Sequence, residues 1–220
     1  MSKILFVMTG ADHWTLADGT QHPTGFWAEE AVTPYEAFKA AGHEVVVATP
    51  GGVVPTVDKA SLAENPDATA SFPELENPVA LEDVDAADHD AVFYPGGHGP
   101  MEDLAVNADS GRLIVRVLES GRPLAVVCHG PAALLAATKE DGTHAVAGYR
   151  LTGFTNAEET QAGLAAKAKW LLQDRLVEAG ADFQEGEPWA AHVVVDRNLI
   201  TGQNPASSGP LAAELLKRLS

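Results

Sequence analysis

The sequence predicts an α/β fold, a mostly parallel sheet with helices on both faces, and three observations carry that expectation. Short apolar runs at residues 4–8, 45–48, 91–94 and 124–127 are long enough for buried strands and too short for helices. Stretches of helical period lie among them, closed by glycines such as Gly42 and Gly180. The two kinds of segment alternate, as parallel strands joined by crossover helices do. A chain of 220 residues has room for one well-buried α/β unit, read here as a single domain over residues 1–220.

Residues 4–8 form the first buried strand, and a long loop follows from Gly10 to Gly25, carrying Asp12, His13, Trp14, Asp18 and His22. A loop of that length in a compact domain is commonly functional, and Trp14 and Trp27 bracket it as if it folds over something. Residues 29–41 read as a helix ended by Gly42, and residues 44–48 as the next strand. Along that helix Trp27, Glu30, Pro34, Phe38 and Ala41 share a face, while Glu29 falls with Thr33, Glu36 and Ala40. Glu30 therefore points with the apolar stripe, where burial disfavours its charged form and raises its pKa. Residues 50–88 are a polar connection rich in proline and acid, with no long element.

The strand at 91–94 runs into Pro95-Gly96-Gly97-His98-Gly99-Pro100-Met101. Glycines there let backbone N–H groups turn inward, as in an anion-binding nest. A helix at 111–119 stops at Ser120-Gly121, and the strand at 124–127 delivers Cys128. Gly130-Pro131 marks a turn, so a helix starts at Pro131 and runs to Thr138, with the thiol at a strand-to-helix corner. The positive end of that helix favours thiolate over thiol and can hold an oxyanion. Residues 139–142 are a turn, and residues 149–159 a strand end with an acidic loop. A helix spans 164–179, and strands at 192–196 and 198–202 are joined by an Asp-Arg-Asn turn. A last helix covers 211–219.

Composition excludes several classes. The formal charge is −17, from 31 acidic against 14 basic side chains, which argues against nucleic acid or an anionic membrane as partner. No apolar run approaches the ~20 residues of a membrane span. The apolar start, residues 4–8, is too short for a secretory signal, and one cysteine forms no internal disulfide, so a reducing cytoplasmic location is expected. The fingerprint Gly-x-Gly-x-x-Gly is missing after the first strand, as is a serine-hydrolase elbow. No zinc spacing appears among the eight histidines, so no metal and no cofactor are expected. Cys128, the adjacent His129, Glu30 and the glycine loop make a cofactor-independent nucleophilic site, in which the N–H of His129 and one from Gly97 to Gly99 hold an oxyanion. His129 needs an orienting carboxylate, which spacing alone does not choose.

Five segments in order, Thr24-Gly25-Phe26-Trp27-Ala28-Glu29-Glu30 with Pro34, Tyr94 to Met101, Val127-Cys128-His129-Gly130-Pro131, Thr152 to Glu159, and Ile200 to Ser208, resemble the ThiJ/PfpI superfamily, in its glyoxalase III and heat-shock chaperone branch. The resemblance implies a flavodoxin-like three-layer sandwich with a cysteine nucleophile elbow, and a homodimer. It implies Cys128 as nucleophile, Glu30 as the glutamate that hydrogen-bonds its sulfur, His129 as the histidine beside it, and Glu159 as that histidine's partner, with Glu158 the competing choice. Gly97 and His129 would supply the oxyanion N–H groups, with Gly99, His98, Trp14 and Trp27 around the substrate. Many relatives have glycine two residues before the cysteine, where this chain has Val126. The implied activity converts methylglyoxal to lactate, or glyoxal to glycolate, without glutathione. Holding chaperone, repair of glycated amines and redox sensing are the rival roles. A glutaminase is disfavoured because His192 is followed by Val193-Val194, not by the glutamate of a His-x-Glu pair.

Overall fold

In the computed structural model, which describes residues 1–220, four apolar parallel strands lie at the centre of a seven-stranded sheet. In chain order the strands are β1 (Lys3–Val7), β4 (Glu44–Thr49), β5 (Val79–Ala80), β6 (Ala91–Tyr94), β7 (Leu124–Val127), β10 (Val193–Asp196) and β11 (Leu199–Gly202). Their spatial order is β10-β11-β7-β6-β1-β4-β5, parallel throughout except for β10. The run β4-β1-β6-β7-β11 is the flavodoxin order, and ligands in such sheets sit beyond the carboxyl ends of the strands. β1, β6 and β7 are buried along almost their whole length, which is why they read as unbroken apolar runs.

Helix α1 (Ala28–Ala40) packs with the terminal helix α6 (Ser208–Leu219) on one face of the sheet. The short helix α2 (Gly99–Glu102) follows the glycine loop; on the other face, α3 (Ala108–Ser120) lies against the segment that follows Cys128, and α5 (Leu172–Glu178) lies against that same segment. Phe6, Phe38 and Phe93 join sheet and α1 through ring contacts of 4.7–5.9 Å. Asn107 caps α3 by accepting the Ser110 N–H, and Gly121 ends it in the left-handed region, at φ 77°. No helix is long and apolar enough to cross a membrane.

Four expectations need correction. The 10–25 loop contains a small antiparallel hairpin, β2 (His13–Thr15) with β3 (Gln21–Pro23). Its strands hold only three residues each, too few for a visible two-residue period. The segment after Cys128 is a 3-10 helix, Gly130–Ala136, and not an α-helix from Pro131 to Thr138. Its alanine-rich composition favours α-helix, but it packs under α3 and against the turn Leu104–Val106, and tertiary contact overrides propensity. The acidic loop after Thr152 winds into helix α4 (Asn156–Gln161). The helix expected over 164–179 keeps only α5, preceded by a 3-10 turn at Ala165–Lys167. The strands β8 (Arg150–Leu151) and β9 (Asp182–Phe183) form a separate parallel pair.

Candidate active site

Strand β7 ends at Val127, and Cys128 then takes φ 59°, a left-handed conformation that costs an L-residue ~1–2 kcal/mol. Two hydrogen bonds hold it there: the Cys128 N–H donates to the Gly202 carbonyl at 2.9 Å, and the Phe154 N–H donates to the Cys128 carbonyl at 2.8 Å. The elbow is thus pinned by β11 on one side and by the Gly153-Phe154 loop on the other. Val126, where many relatives have glycine, lies fully buried between Tyr94 and Thr201 in the sheet register and leaves the elbow intact.

Glu30 sits in the first turn of α1 and is fully buried with Pro34 and Phe38, while Glu29 and Glu36 are exposed; Ala41, expected on the same face, is also exposed because the helix has ended. Its Oε2 accepts the Gly96 N–H at 2.7 Å. Burial pushes the Glu30 pKa up to about 8; the Cys128 thiol and the Gly96 N–H oppose that rise in part, although no well-aligned bond reaches Oε1. The same closeness acts on the sulfur. Burial, then the Glu30 charge and its contact with the thiol, raise the Cys128 pKa well above its usual value, and the N–H groups of Gly97 and His129 pull the other way. Burial beside a carboxyl group thus works against the ionised sulfur expected from the sequence, while the Gly97 and His129 N–H groups work for it.

The His129 imidazole has its Nδ1 3.4 Å from the Cys128 sulfur and its Nε2 2.6 Å from Glu159 Oε2. Burial, and the neighbouring His98, lower the His129 pKa to about 4 despite Glu159, so the ring is neutral at pH 7. Glu159 is ionised, its pKa held well below the usual carboxylate range by the two histidines that overcome its burial. An ionised carboxylate accepts, so Nε2 carries the proton and the His129 Nδ1 lone pair faces the thiol. Thr155 positions this carboxylate: its side chain caps α4 in a reciprocal box with Glu158, and Glu159 is the next residue on the helix. Glu158 takes a different task. Its Oε1 accepts from the Trp189 N–H, Gln203 Nε2 and Asn204 Nδ2, tying α4 to the end of β11.

His98 also reaches Glu159, Nε2 to Oε1 at 2.8 Å, and its ring is stacked between Trp14 at 4.8 Å and His129 at 4.0 Å. Trp14 is buried behind His98 and does not line the cleft as an open wall, whereas Trp27 is half-buried and does. A cleft of about 690 Å³ adjoins the site at Trp27 and His98 and is also lined by His22, Asp58, Lys59 and Leu164 among others; Cys128, His129, Glu30 and Glu159 do not line it. Gly97 takes φ 88°, and a Cβ there would fall 2.4 Å from the Gly25 carbonyl, so only glycine turns this N–H toward the sulfur. Gly99 is a correction: its N–H is bonded to the Gly25 carbonyl at 3.1 Å and is not free for an oxyanion. Sequence reasoning missed the face-packing of Phe154 on His129 at 4.4 Å and the anchoring by Gln203 and Asn204. It also missed that His98, His129 and Glu159, far apart in sequence, bring three potential metal-ligand atoms within 4.8 Å of one another.

A cysteine elbow with a neighbouring histidine, on this sheet order, agrees with a family match over residues 23–218. The chain belongs to the DJ-1/PfpI family. Within that family it is 35% identical over 180 residues to a glutamine amidotransferase-like class 1 domain-containing protein 1 of Bos taurus, covering 80% of this chain and 81% of that protein. It is 28% identical to glyoxalase 3 of Candida albicans, over 98% of each chain. The crystal structure of a Candida albicans glyoxalase III superposes with a TM-score of 0.87 at 27% identity, covering 99% of this chain and 97% of the other. A protein/nucleic acid deglycase of Pseudomonas aeruginosa is 29% identical over 97% of this chain and 80% of its own length. These relatives place the chain in the glyoxalase III branch of DJ-1/PfpI proteins, whose function is of the glyoxalase and deglycase type.

Proposed function

We propose that the protein is a glutathione-independent glyoxalase that converts methylglyoxal to lactate, or glyoxal to glycolate, in the absence of a cofactor. The observation that carries this reading is the pairing of a buried Glu30, with its pKa near 8, and the Cys128 thiol beside it. In this reading the Cys128 sulfur bonds to the aldehyde carbon and the thiol proton passes to the aldehyde oxygen, giving a hemithioacetal, while the Gly97 and His129 N–H groups steady the oxygen. A carboxyl group that titrates near neutral pH is matched to moving a proton from that carbon to its neighbour through an enediol. The product is a thioester. Water, helped by His129 and its Glu159 partner, then breaks the C–S bond and returns the thiol, so the net change is the addition of one water. The cleft beside the site, reached at Trp27 and His98, exceeds what a three-carbon substrate fills, which favours glycated protein or nucleic acid, after the deglycase name of the Pseudomonas relative, as a second class.

Incubating wild type, Cys128→Ala and Glu30→Gln with methylglyoxal, without added thiols, and assaying lactate tests the reading. Lactate is expected from wild type alone. Full activity in Glu30→Gln would remove its proton-transfer role, and no lactate from wild type would turn the assignment to another carbonyl.

A further inference from the structure

His98, His129 and Glu159 form a two-histidine, one-carboxylate set that no local spacing encodes. Their ligand atoms lie within 4.8 Å of one another, and both imidazoles meet the same carboxylate through Nε2. Zinc held by three protein ligands with a fourth, open position is a recurrent arrangement, with Zn–N near 2.0–2.1 Å. Ligand atoms on a tetrahedral ion at that Zn–N distance lie roughly 3.4 Å apart, so the widest pair closes by about an ångström, and His98 lines a cleft through which an ion can reach it. We propose that this cluster binds a divalent zinc-type cation, and that the ion acts as a reversible inhibitor of the Cys128 site rather than as its cofactor.

The inhibition follows from the tautomer. Without metal, both Nε2 atoms donate to Glu159, and the His129 Nδ1 lone pair faces the sulfur at 3.4 Å. An imidazole ligates through a lone pair, so metal at Nε2 moves each proton to Nδ1. His98 Nδ1 has no protein partner and accepts that change freely. At His129 the change leaves no free ring lone pair, and Glu159 is held by the ion, so the pair can no longer take a proton from the water that breaks the thioester. No redox step is involved, and no bond of the protein breaks. Asp12 and Asp58 in the cleft wall, within a chain of net charge −17, raise the local concentration of cations, with Lys59 the one opposing charge there. Trp14, stacked on His98, holds that ligand in place from behind.

The test uses tag-free full-length protein, with zinc titrated against a chromophoric chelator and Co²⁺ used for its visible absorption. One ion per chain is expected in wild type and in Cys128→Ser, with cobalt bands typical of four or five coordination and no sulfur-to-metal charge-transfer band. Affinity is expected to fall at least ~100-fold in His98→Gln and His98→Asn, at or beyond the upper end of what loss of a supporting group costs. Zinc should raise the melting temperature of Cys128→Ser and of neither His98 variant, a comparison that also reports whether each variant is folded. Stoichiometric zinc should stop carbonyl turnover by wild type, and chelator should restore it. A one-to-one site that survives both His98 variants, or that vanishes in Cys128→Ser, overturns the proposal, as does the lack of any stoichiometric site. These binding readouts stand whether or not methylglyoxal proves to be the substrate.

Discussion

At the scale of single residues, Glu30 and Cys128 set each other's proton affinity. The Glu30 charge and its contact with the thiol both raise the Cys128 pKa, so Glu30→Gln removes two of the three causes of that rise. Alkylation of Cys128 by iodoacetamide, followed against pH, is expected to shift its midpoint to lower pH in Glu30→Gln, even as carbonyl turnover falls by roughly 10²–10⁴, the range for loss of a general acid or base. A midpoint unmoved by the substitution would show that the two groups do not communicate. Glu30 was legible in the sequence because a helix repeats within one turn, so spacing from Pro34 and Phe38 was enough to orient it. The balance that sets the ionisation of Cys128 was not legible for the opposite reason: its desolvation comes from strands and loops distant in sequence. The partner of His129 was likewise not derivable from spacing among 31 acids, and came only from the family resemblance.

At the scale of elements, the site is set by how segments end. Helix α4 presents Glu159 because Thr155 caps it, and Thr155→Ala is expected to cost about 0.5–2 kcal/mol in urea unfolding and to lower turnover as the carboxylate loses its fixed place. A stability loss with unchanged kcat would separate the cap from the site. Gly97→Ala forces a Cβ into the Gly25 carbonyl, and its expected effect is loss of turnover through the misplaced N–H. The strands and the capped helices α1 and α3 were readable, since periodicity and end residues are local signals. The hairpin, the 3-10 segment after Cys128 and the breaks within 164–179 were not, because each is decided by what it packs against.

At the scale of the whole molecule, acid titration and charge govern stability. Folded Glu30 titrates near 8 against about 4.5 unfolded, so the folded state holds the extra proton and stability falls as pH rises between these values. His129 titrates near 4 against about 6.5 unfolded, so its contribution rises over that window. The two oppose each other from about 4.5 to 6.5, which leaves a net decline from about 6.5 to 8 with a slope approaching 1.4 kcal/mol per pH unit. Denaturant unfolding at pH 6.5 and 8 is expected to show that decline in wild type and not in Glu30→Gln. The charge of −17 repels itself, so ~0.1 M salt should also raise the melting temperature. The hairpin between β1 and α1 belongs to no layer of the sandwich. It is tied down by Glu102, which accepts both the N–H and the hydroxyl of Thr15 at 2.7–2.8 Å, and it brings Trp14 to His98. With the Ala17 N–H bonded to the Lys167 carbonyl as a second tether, the ribbon acts as a buttress from outside the sandwich, and Trp14→Ala should loosen the His98 ring while the β-sheet beneath folds as before.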